Sequence, residues 1–278
     1  MATKSITEIE AYWDDFSSQY INMDNGSSLF YLSLINMLKI QDRKSILEVG
    51  AGAGFLFNHT MNFKKHGAQY IATDLSEKML QYILRRLQIE EPFKDGMLID
   101  KYNLRIQKAN GEELPFEDNT FDCYIANLCL QITTDPVKML KESHRVLQKG
   151  GVAGFSVWGD KEKSQLFTII PQTLTENGCT YPQIRSNFHL NDREKLIKMV
   201  EDAGFTQVIC WNQFSPYHQT EQGMMDFLNS PSNITVLQQA GEKAEEIKSK
   251  LQQKIKSYLE QNKLPFGLDG LLIIGVKN

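Results

Sequence analysis

The central part of the chain alternates between short apolar runs and longer amphipathic segments. Several of the runs are almost wholly apolar, as expected of strands covered on both faces. They span residues 45–49, 69–73, 104–108, 121–126 and 152–157. A strand–helix–strand series of this kind gives right-handed crossovers and a mostly parallel sheet. The pattern therefore predicts a doubly wound α/β domain with helices on both faces.

The segments between the runs carry signals for the start of a helix. Ser76 is a suitable N-cap for a helix over 77–87, and Asp135 is followed by a proline at the first helical position. Asn191 predicts a capping box before a helix over 192–203. These signals support the alternation of strands and helices.

The second half of the chain continues the alternation at lower density. Strands are predicted at 206–211 and 271–276, and a long charged helix at 242–259. Apolar residues recur at every fourth position of that helix, but the stripe is short for a coiled coil. We therefore interpret the helix as a lid or flank docked on the body.

Composition narrows the class of protein. The chain has 278 residues, 41% hydrophobic and 23% charged, with a net charge of −4, which argues against a broad nucleic-acid surface. No apolar run approaches the ~18 residues of a membrane span, and residues 1–8 carry no signal core. We expect a cytosolic location. Four separated cysteines and no His/Asp/Glu cluster at ligand spacing predict reduced thiols and no metal.

A glycine-rich loop follows the first predicted strand. Gly50, Gly52 and Gly54 alternate with alanines directly after that strand. Glycine is needed where the backbone turns tightly and approaches a ligand without a Cβ in the way. Because open α/β sheets bind ligands at the carboxyl ends of their strands, the loop predicts a nucleotide site there.

The spacing of the loop separates two classes of ligand. The dinucleotide fingerprint requires a third glycine at position 55, which is Phe55. Glu48 stands two residues before the loop, where a carboxylate repels a diphosphate and suits a cationic ligand. S-adenosylmethionine carries a sulfonium and an ammonium but no phosphate, so it is favoured. A NAD-dependent oxidoreductase is the weaker alternative.

Asp74 ends the second predicted strand. It follows Gly50 at about the 20-residue separation expected of a carboxylate that accepts hydrogen bonds from ribose hydroxyls. A solvated turn residue is the alternative interpretation. Together with the loop, Asp74 indicates a nucleoside site.

These residues resemble the class I, seven-stranded S-adenosylmethionine-dependent methyltransferases, and in particular the small-molecule group that includes the ubiquinone/menaquinone C-methyltransferases. The matching segments follow one another along most of the chain. They are Tyr12-Trp13-Asp14 with Tyr20, Leu47 to Gly54, Asp74, Leu114-Pro115-Phe116, Asn119 to Asp122, and His144 to Leu147 ahead of Gly150-Gly151.

The resemblance implies a sheet of strand order 3-2-1-4-5-7-6 with the last strand antiparallel, and S-adenosylmethionine as cofactor, with S-adenosylhomocysteine as product. It places the methionine part of the cofactor at the loop, the ribose at the second strand, adenine after the third and the methyl group after the fourth. The cofactor-binding residues would be Tyr20, Glu48, Gly50, Ala51, Gly52, Gly54, Asp74, Leu75, Asn110, Gly111, Glu112, Asn127 and Leu128.

The resemblance also implies one methyltransferase domain over 1–278. We expect an N-terminal helical cap at 1–40, a cofactor-binding core at 41–160 and a substrate-side half at 161–278 with a helical insertion at about 219–263. The acceptor pocket would be lined by Trp13 of the cap and by Met224 and Phe227 of the insertion, and would then suit an apolar or aromatic acceptor. The alternative for these two insertion residues is a place in the core.

Methyl transfer is an in-line displacement at carbon, for which positioning and desolvation supply much of the acceleration. Some acceptors also need a general base, and His189 and His218 are weak candidates that are more often surface or structural residues. We expect transfer to a small-molecule acceptor and no nucleic-acid partner, and assign neither the acceptor nor an oligomeric state. Asn110 stands where the group commonly has Asp, which keeps open a catalytically inactive scaffold or assembly protein.

Overall fold

A computed structural model describes residues 5–21, 28–180, 188–217, 220–261 and 266–278 of the protein. A single eight-stranded sheet forms the centre of this part of the chain. The strands are β1 (Ser45–Val49), β2 (Gln69–Asp74), β3 (Met97–Ile99), β4 (Leu104–Lys108), β5 (Phe121–Asn127), β6 (Leu147–Trp158), β7 (Phe205–Pro216) and β8 (Gly267–Lys277).

The strands are arranged in the order β3-β4-β2-β1-β5-β6-β8-β7. The five strands from β4 to β6 are parallel, and β8 lies antiparallel between β6 and β7. Apart from β3, this is the predicted order, and the antiparallel last strand is confirmed. The expected count of seven strands is wrong, because β3 adds an antiparallel edge to β4. A strand of three residues is too short to produce a recognisable alternation in the sequence.

Helices cover both faces of the sheet, as the sequence predicts. They are α1 (Ile6–Tyr20), α2 (Ser28–Met37), α3 (Phe57–Phe63), α4 (Glu77–Arg86), α5 (Pro136–Val146), α6 (Gln165–Glu176), α7 (Arg193–Asp202), α8 (Glu221–Leu228), α9 (Pro231–Gln238) and α10 (Ala244–Gln261). Among the described helices, none is both long enough and apolar enough to cross a membrane.

Two of the three predicted helix starts are confirmed. Ser76 accepts from the Met79 backbone N–H, and Asp135 caps α5 ahead of Pro136. The third is wrong by one residue, because Asp192 rather than Asn191 caps α7. Asp and Asn are both good caps, so the sequence alone does not separate adjacent candidates.

Each face of the sheet buries its own apolar layer. On one face, α5 and α7 pack over β1, β5 and β6; on the other, α2, α3 and α4 pack over β1, β2 and β4. A third layer lies among α6, α8, α9 and α10, away from the sheet centre. The long helix is confirmed as a docked flank, since Ile247, Leu251 and Ile255 are fully buried in this layer.

Arg145 joins α5 to the segment that leads into β5. Its Nε and Nη2 donate to Glu142, its Nη1 donates to the Asp118 carboxylate and the Phe116 carbonyl, and its Nη2 also reaches the Leu114 carbonyl. The planar guanidinium satisfies all of these acceptors at once. The segment before β5 is therefore held by one side chain.

We expect Arg145→Met to lower the free energy of unfolding by about 1–3 kcal/mol, because carboxylates and carbonyls lose a charged donor. Arg145→Lys should recover little of this, since an ammonium cannot reproduce the planar fork. Urea denaturation measures both. As a control, Lys198→Met removes an exposed ion pair with Asp202 and should cost less than about 0.5 kcal/mol. Equal losses for the two Met variants would contradict the role given to Arg145.

Candidate functional site at the glycine loop

The glycine loop folds back over the end of β2. Gly50, Gly52 and Gly54 have φ angles of 74°, 57° and 70°, in the left-handed region that favours glycine. The backbone N–H groups of Gly50 and Ala51 both donate to the Thr73 carbonyl at 2.9 Å. The loop is thus anchored by its own backbone, and α3 begins only at Phe57.

The glycines at 50 and 52 have different surroundings. A Cβ on Gly50 would lie 2.6 Å from the Cys129 Sγ in the segment after β5, closer than any real contact. A Cβ on Gly52 would meet only the Tyr20 ring, at 3.6 Å. Gly50 therefore permits a close approach of two chain segments, whereas Gly52 leaves backbone without a side chain beneath the Tyr20 ring.

Asp74 connects the loop with the N-terminus of α4. Its Oδ2 accepts from the Gly52 N–H at 2.8 Å, and its Oδ1 from the Ser76 N–H at 2.9 Å. Burial raises the pKa of Asp74 to about 6, against the lowering effect of these bonds, and the Asp14 carboxylate adds to the rise. Asp14 in turn accepts a 2.5 Å hydrogen bond from the Ser76 hydroxyl.

Glu48 does not reach the surface of the loop. Strand alternation places its side chain on the face covered by α2, where it is 5% exposed. Its carboxylate accepts from the Tyr31 hydroxyl at 2.7 Å and from the Tyr70 hydroxyl. Burial raises the pKa of Glu48, and the charge of Asp74 contributes in the same direction. The expectation that Glu48 directly faces the methionine part of the cofactor is corrected: it is a buried charge below the loop.

The residues after β4 are held by hydrogen bonds and by close packing. Asn110 Oδ1 accepts from the Glu112 N–H at 3.0 Å, and Gly111 lies close against Val49. The Glu112 carboxylate is buried and accepts from the backbone N–H and the hydroxyl of Thr134 at 2.6 and 2.5 Å. The Glu112 side chain therefore ties this segment to the loop before α5, and its place in the cofactor site stays a prediction.

The segment after β5 has a strained backbone. Leu128 has a φ of 53°, which is unusual for a residue other than glycine. Its N–H donates to the backbone carbonyl of Ser156 at 3.1 Å and to the Ser156 hydroxyl oxygen at 2.9 Å, and that hydroxyl donates to Asn127 Oδ1 at 2.7 Å. Strained residues of this kind are concentrated at functional sites.

Helix α1 lies beside the loop and presents an aromatic group to it. The Tyr20 ring is 5.5 Å from the Phe55 ring, and Trp13 packs edge-on against Tyr20 at 5.9 Å. A salt bridge of 2.8 Å between Lys108 and Glu10 holds the other end of the helix near β4. The structure therefore brings Tyr20 to the glycine loop, with Trp13 packed against it, and their roles in binding stay a prediction.

The residues proposed for the acceptor pocket divide into two groups. Met224 is fully buried in the apolar layer of α6, α8, α9 and α10, so its expected place on a pocket wall is corrected to the core. Phe227 is partly buried and packs against the Tyr217 and Phe266 rings. His189 is exposed in the turn before α7, and His218 lies outside the described residues.

Aromatic side chains that the sequence analysis did not single out lie where β6 ends. Trp158, the last residue of β6, contacts the Phe167 ring of α6 at 4.8 Å. Phe167 is 37% exposed and also contacts Phe188 at 6.1 Å. Their separation along the chain leaves no motif by which the sequence could have grouped them.

Comparison with known proteins shows which proteins the chain resembles. Residues 47–155, which include the loop and β5, match the family described as a methyltransferase domain. The chain is 32% identical over 182 residues to the ubiquinone/menaquinone biosynthesis C-methyltransferase UbiE of Vibrio cholerae. The chain therefore resembles the S-adenosylmethionine-dependent methyltransferases. The alignment covers 60% of this chain and 66% of UbiE, so the chain spans a little under two thirds of that relative's length.

Solved structures share the fold of this chain at low sequence identity. Phosphoethanolamine N-methyltransferase 2 of Haemonchus contortus is 18% identical, with a TM-score of 0.57, over 99% of this chain and 60% of that one. The [4+2]-cyclase SpnF is 12% identical, with a TM-score of 0.61, over 100% of this chain and 98% of that one.

The residues of the site fit S-adenosylmethionine, the cofactor that the resemblance implies. Gly52 offers bare backbone, and Asp74 is a partly exposed carboxylate that can accept from ribose hydroxyls. Asp14 raises the pKa of Asp74, and Asp74 raises that of Glu48, so the site brings together three carboxyl groups, which suit a sulfonium and an ammonium. A diphosphate fits poorly. Such a ligand binds where a helix begins directly after the glycine loop, and here α3 begins only at Phe57.

Replacing Gly50 with Ala tests the close approach to Cys129. Gly67 is a matched control, because its φ of 79° is similar and nothing lies within 4 Å of its Cβ position. Gly67→Ala should cost about 1 kcal/mol of unfolding free energy from backbone strain alone. Gly50→Ala should cost at least about 1 kcal/mol more, since Cys129 must move. Equal losses in urea denaturation would show that the contact carries no strain.

The raised pKa of Asp74 predicts how binding depends on pH. Ribose hydroxyls bind the carboxylate, so the affinity for S-adenosylhomocysteine should rise up to about tenfold between about pH 5 and about pH 7. The pKa of Asp74 is higher in the folded than in the unfolded protein, so its effect on stability has the opposite sign to its effect on binding. Ionisation of Asp74 lowers the free energy of unfolding as the pH rises through about 6. Calorimetric titration measures the affinity. Asp74→Asn should flatten this profile, and a profile equally steep in that variant would exclude Asp74 as the group responsible.

Proposed function

We propose that this protein transfers the methyl group of S-adenosylmethionine to a small-molecule acceptor. The observation that carries the proposal is the bare, negatively charged surface formed by Gly52 and Asp74 at the carboxyl end of β1. Its charge complements the cationic donor, and Gly52 places no side chain between the loop and the Tyr20 ring.

The proposed contacts follow from the positions of the loops. Asp74 accepts from the ribose hydroxyls, and Leu75 packs near the adenine, with Asn110 and Gly111 along its edge. Asn127 and Leu128 border the methyl group from the end of β5, where Ser156 holds both of them. Glu48 acts from below the loop as a buried negative charge and not as a ligand.

The bound cofactor supplies a methyl carbon activated by a positively charged sulfur. That carbon would accept a lone pair of the acceptor, and any acceptor proton would leave to solvent or to a base. The protein contributes position and the exclusion of water. In this proposal, α1 of the N-terminal cap covers the loop with Tyr20, and no general base is assigned.

The acceptor is proposed to be apolar or aromatic. Trp158 and Phe167 lie at the carboxyl end of β6, beside the segment that contains Leu128, and Phe167 is part exposed. Aromatic surfaces of this kind bind planar apolar molecules. The name of the Vibrio cholerae relative, which places it in ubiquinone/menaquinone biosynthesis, supports the same class of acceptor.

A second possibility is a protein of this fold that does not transfer methyl groups. SpnF carries the name of a cyclase and has a similar fold, so the fold is compatible with other chemistry. The oxidoreductase alternative loses support, because Phe55 occupies the position of the third glycine and α3 begins beyond the loop.

Titration with S-adenosylhomocysteine tests the proposal. The wild type should bind with a micromolar or lower Kd, and Asp74→Ala should weaken binding about tenfold or more. Gly52→Arg should weaken it further, because the new side chain fills the space beneath Tyr20 from a strained backbone. Asp202→Asn is the control, since this exposed charge on α7 lies outside the site.

Turnover is then tested with S-adenosylmethionine and a metabolite extract, and methylated products are detected by mass. Undetectable binding by folded wild-type protein would overturn the proposed function. Binding that is unaffected by either site variant would overturn the proposed site. Binding without any methylated product, from this extract and from purified quinone-like acceptors, would favour the second possibility, a protein of this fold that does not transfer methyl groups.

A further inference from the structure

Phe55 stands where a dinucleotide-binding loop has glycine, and the structure gives this side chain a definite position. Its half-buried ring has two partners from outside the loop. The Tyr20 ring of α1 meets it edge-on at 5.5 Å and 75°, and the Arg86 guanidinium of α4 lies 4.0 Å from its centroid. Phe55 therefore links the helix before the site to the helix after Asp74.

Arg86 also contacts the backbone of the loop. Its Nε donates to the Ala53 carbonyl at 2.7 Å. Ala53 is fully buried and precedes the first turn of α3, so its carbonyl takes part in no bond of that helix. A charged donor to such a carbonyl is stronger than a neutral one, and the contact with the ring adds to it.

The third contact places Tyr20 over the cofactor surface. The Tyr20 hydroxyl lies 3.6 Å from the position that a Cβ on Gly52 would take. The Phe55 ring lies between the Arg86 guanidinium and the Tyr20 ring and contacts both. Arg86, Phe55 and Tyr20 form a continuous series of contacts that ends above Gly52.

We propose that Arg86 is a positioning residue for the cofactor site. Arg86 holds the Ala53–Phe55 segment and so fixes the Phe55 ring. The Tyr20 ring packs against that ring and lies over Gly52. The inference rests on the proposed function. It assigns to an exposed arginine on α4 a role in binding that no glycine-loop motif implies.

A structural role alone makes a different prediction. An arginine that only stabilises the fold would change the free energy of unfolding and leave the affinity of the folded protein unchanged. A positioning role through Tyr20 requires that the effects of changing Arg86 and Tyr20 on affinity be coupled. A double-mutant cycle measures that coupling directly.

The cycle uses Arg86→Met, Tyr20→Leu and the double variant, each titrated with S-adenosylhomocysteine. Arg86→Met should weaken binding about three- to tenfold in the wild-type background. In the Tyr20→Leu background the same change should have at least about threefold less effect. S-adenosylhomocysteine has no sulfonium, so loss of the Arg86 charge does not act on a cationic sulfur in this assay.

Arg85→Met is the matched control. Arg85 is the preceding residue of α4 and is also exposed, but its guanidinium lies over the Tyr82 ring, 4.9 Å from the centroid, and not over Phe55. The affinity of Arg85→Met for S-adenosylhomocysteine should equal that of the wild type. Urea denaturation of every variant, and Arg86→Lys as a milder change, separate weak binding from failure to fold.

The outcomes are distinct. Coupled losses in the Arg86 and Tyr20 variants, with Arg85→Met unchanged, support the inference. An unchanged Kd in Arg86→Met, or strictly additive effects, overturns it while the proposed function stands. A folded wild type that does not bind S-adenosylhomocysteine overturns the proposed function itself, together with the inference that depends on it.

Discussion

The pairing of β1 with two parallel neighbours is the constraint on which the rest of the structure depends. Because β2 lies on one side of β1 and β5 on the other, the connections on the two sides diverge and leave a crevice above the carboxyl end of β1. The glycine loop, Asp74 and the segment after β5 all meet in this crevice.

Two carboxyl groups, Asp74 and Glu48, lie at different depths near the glycine loop. Asp74 lies at the surface and bonds to the loop, while Glu48 lies below it among tyrosine hydroxyls. A buried carboxylate is tolerated only when its oxygens are hydrogen-bonded, and Tyr31 and Tyr70 meet that need. The loop therefore lies above a buried carboxyl group whose oxygens are hydrogen-bonded within the protein.

Most of the fold could be predicted from the chain alone, since parallel strands buried on both faces are nearly all apolar and glycine marks the loop between them. The strand order beyond β3, the antiparallel β8 and the buried stripe of α10 are confirmed. The three-residue β3 lacks enough alternation to be seen. Met224 could not be placed because an apolar side chain has the same pattern in a core and in a pocket.

By itself, the sequence determined the α/β class, the family resemblance, the loop and the carboxylate at the end of β2, because each depends on residues that are close along the chain. Tertiary structure alone decided where Glu48 points, what Glu112 binds, and that Arg86, Phe55 and Tyr20 meet above Gly52. Those outcomes depend on which helices pack together. Such contacts join residues far apart in sequence, and no local pattern records them.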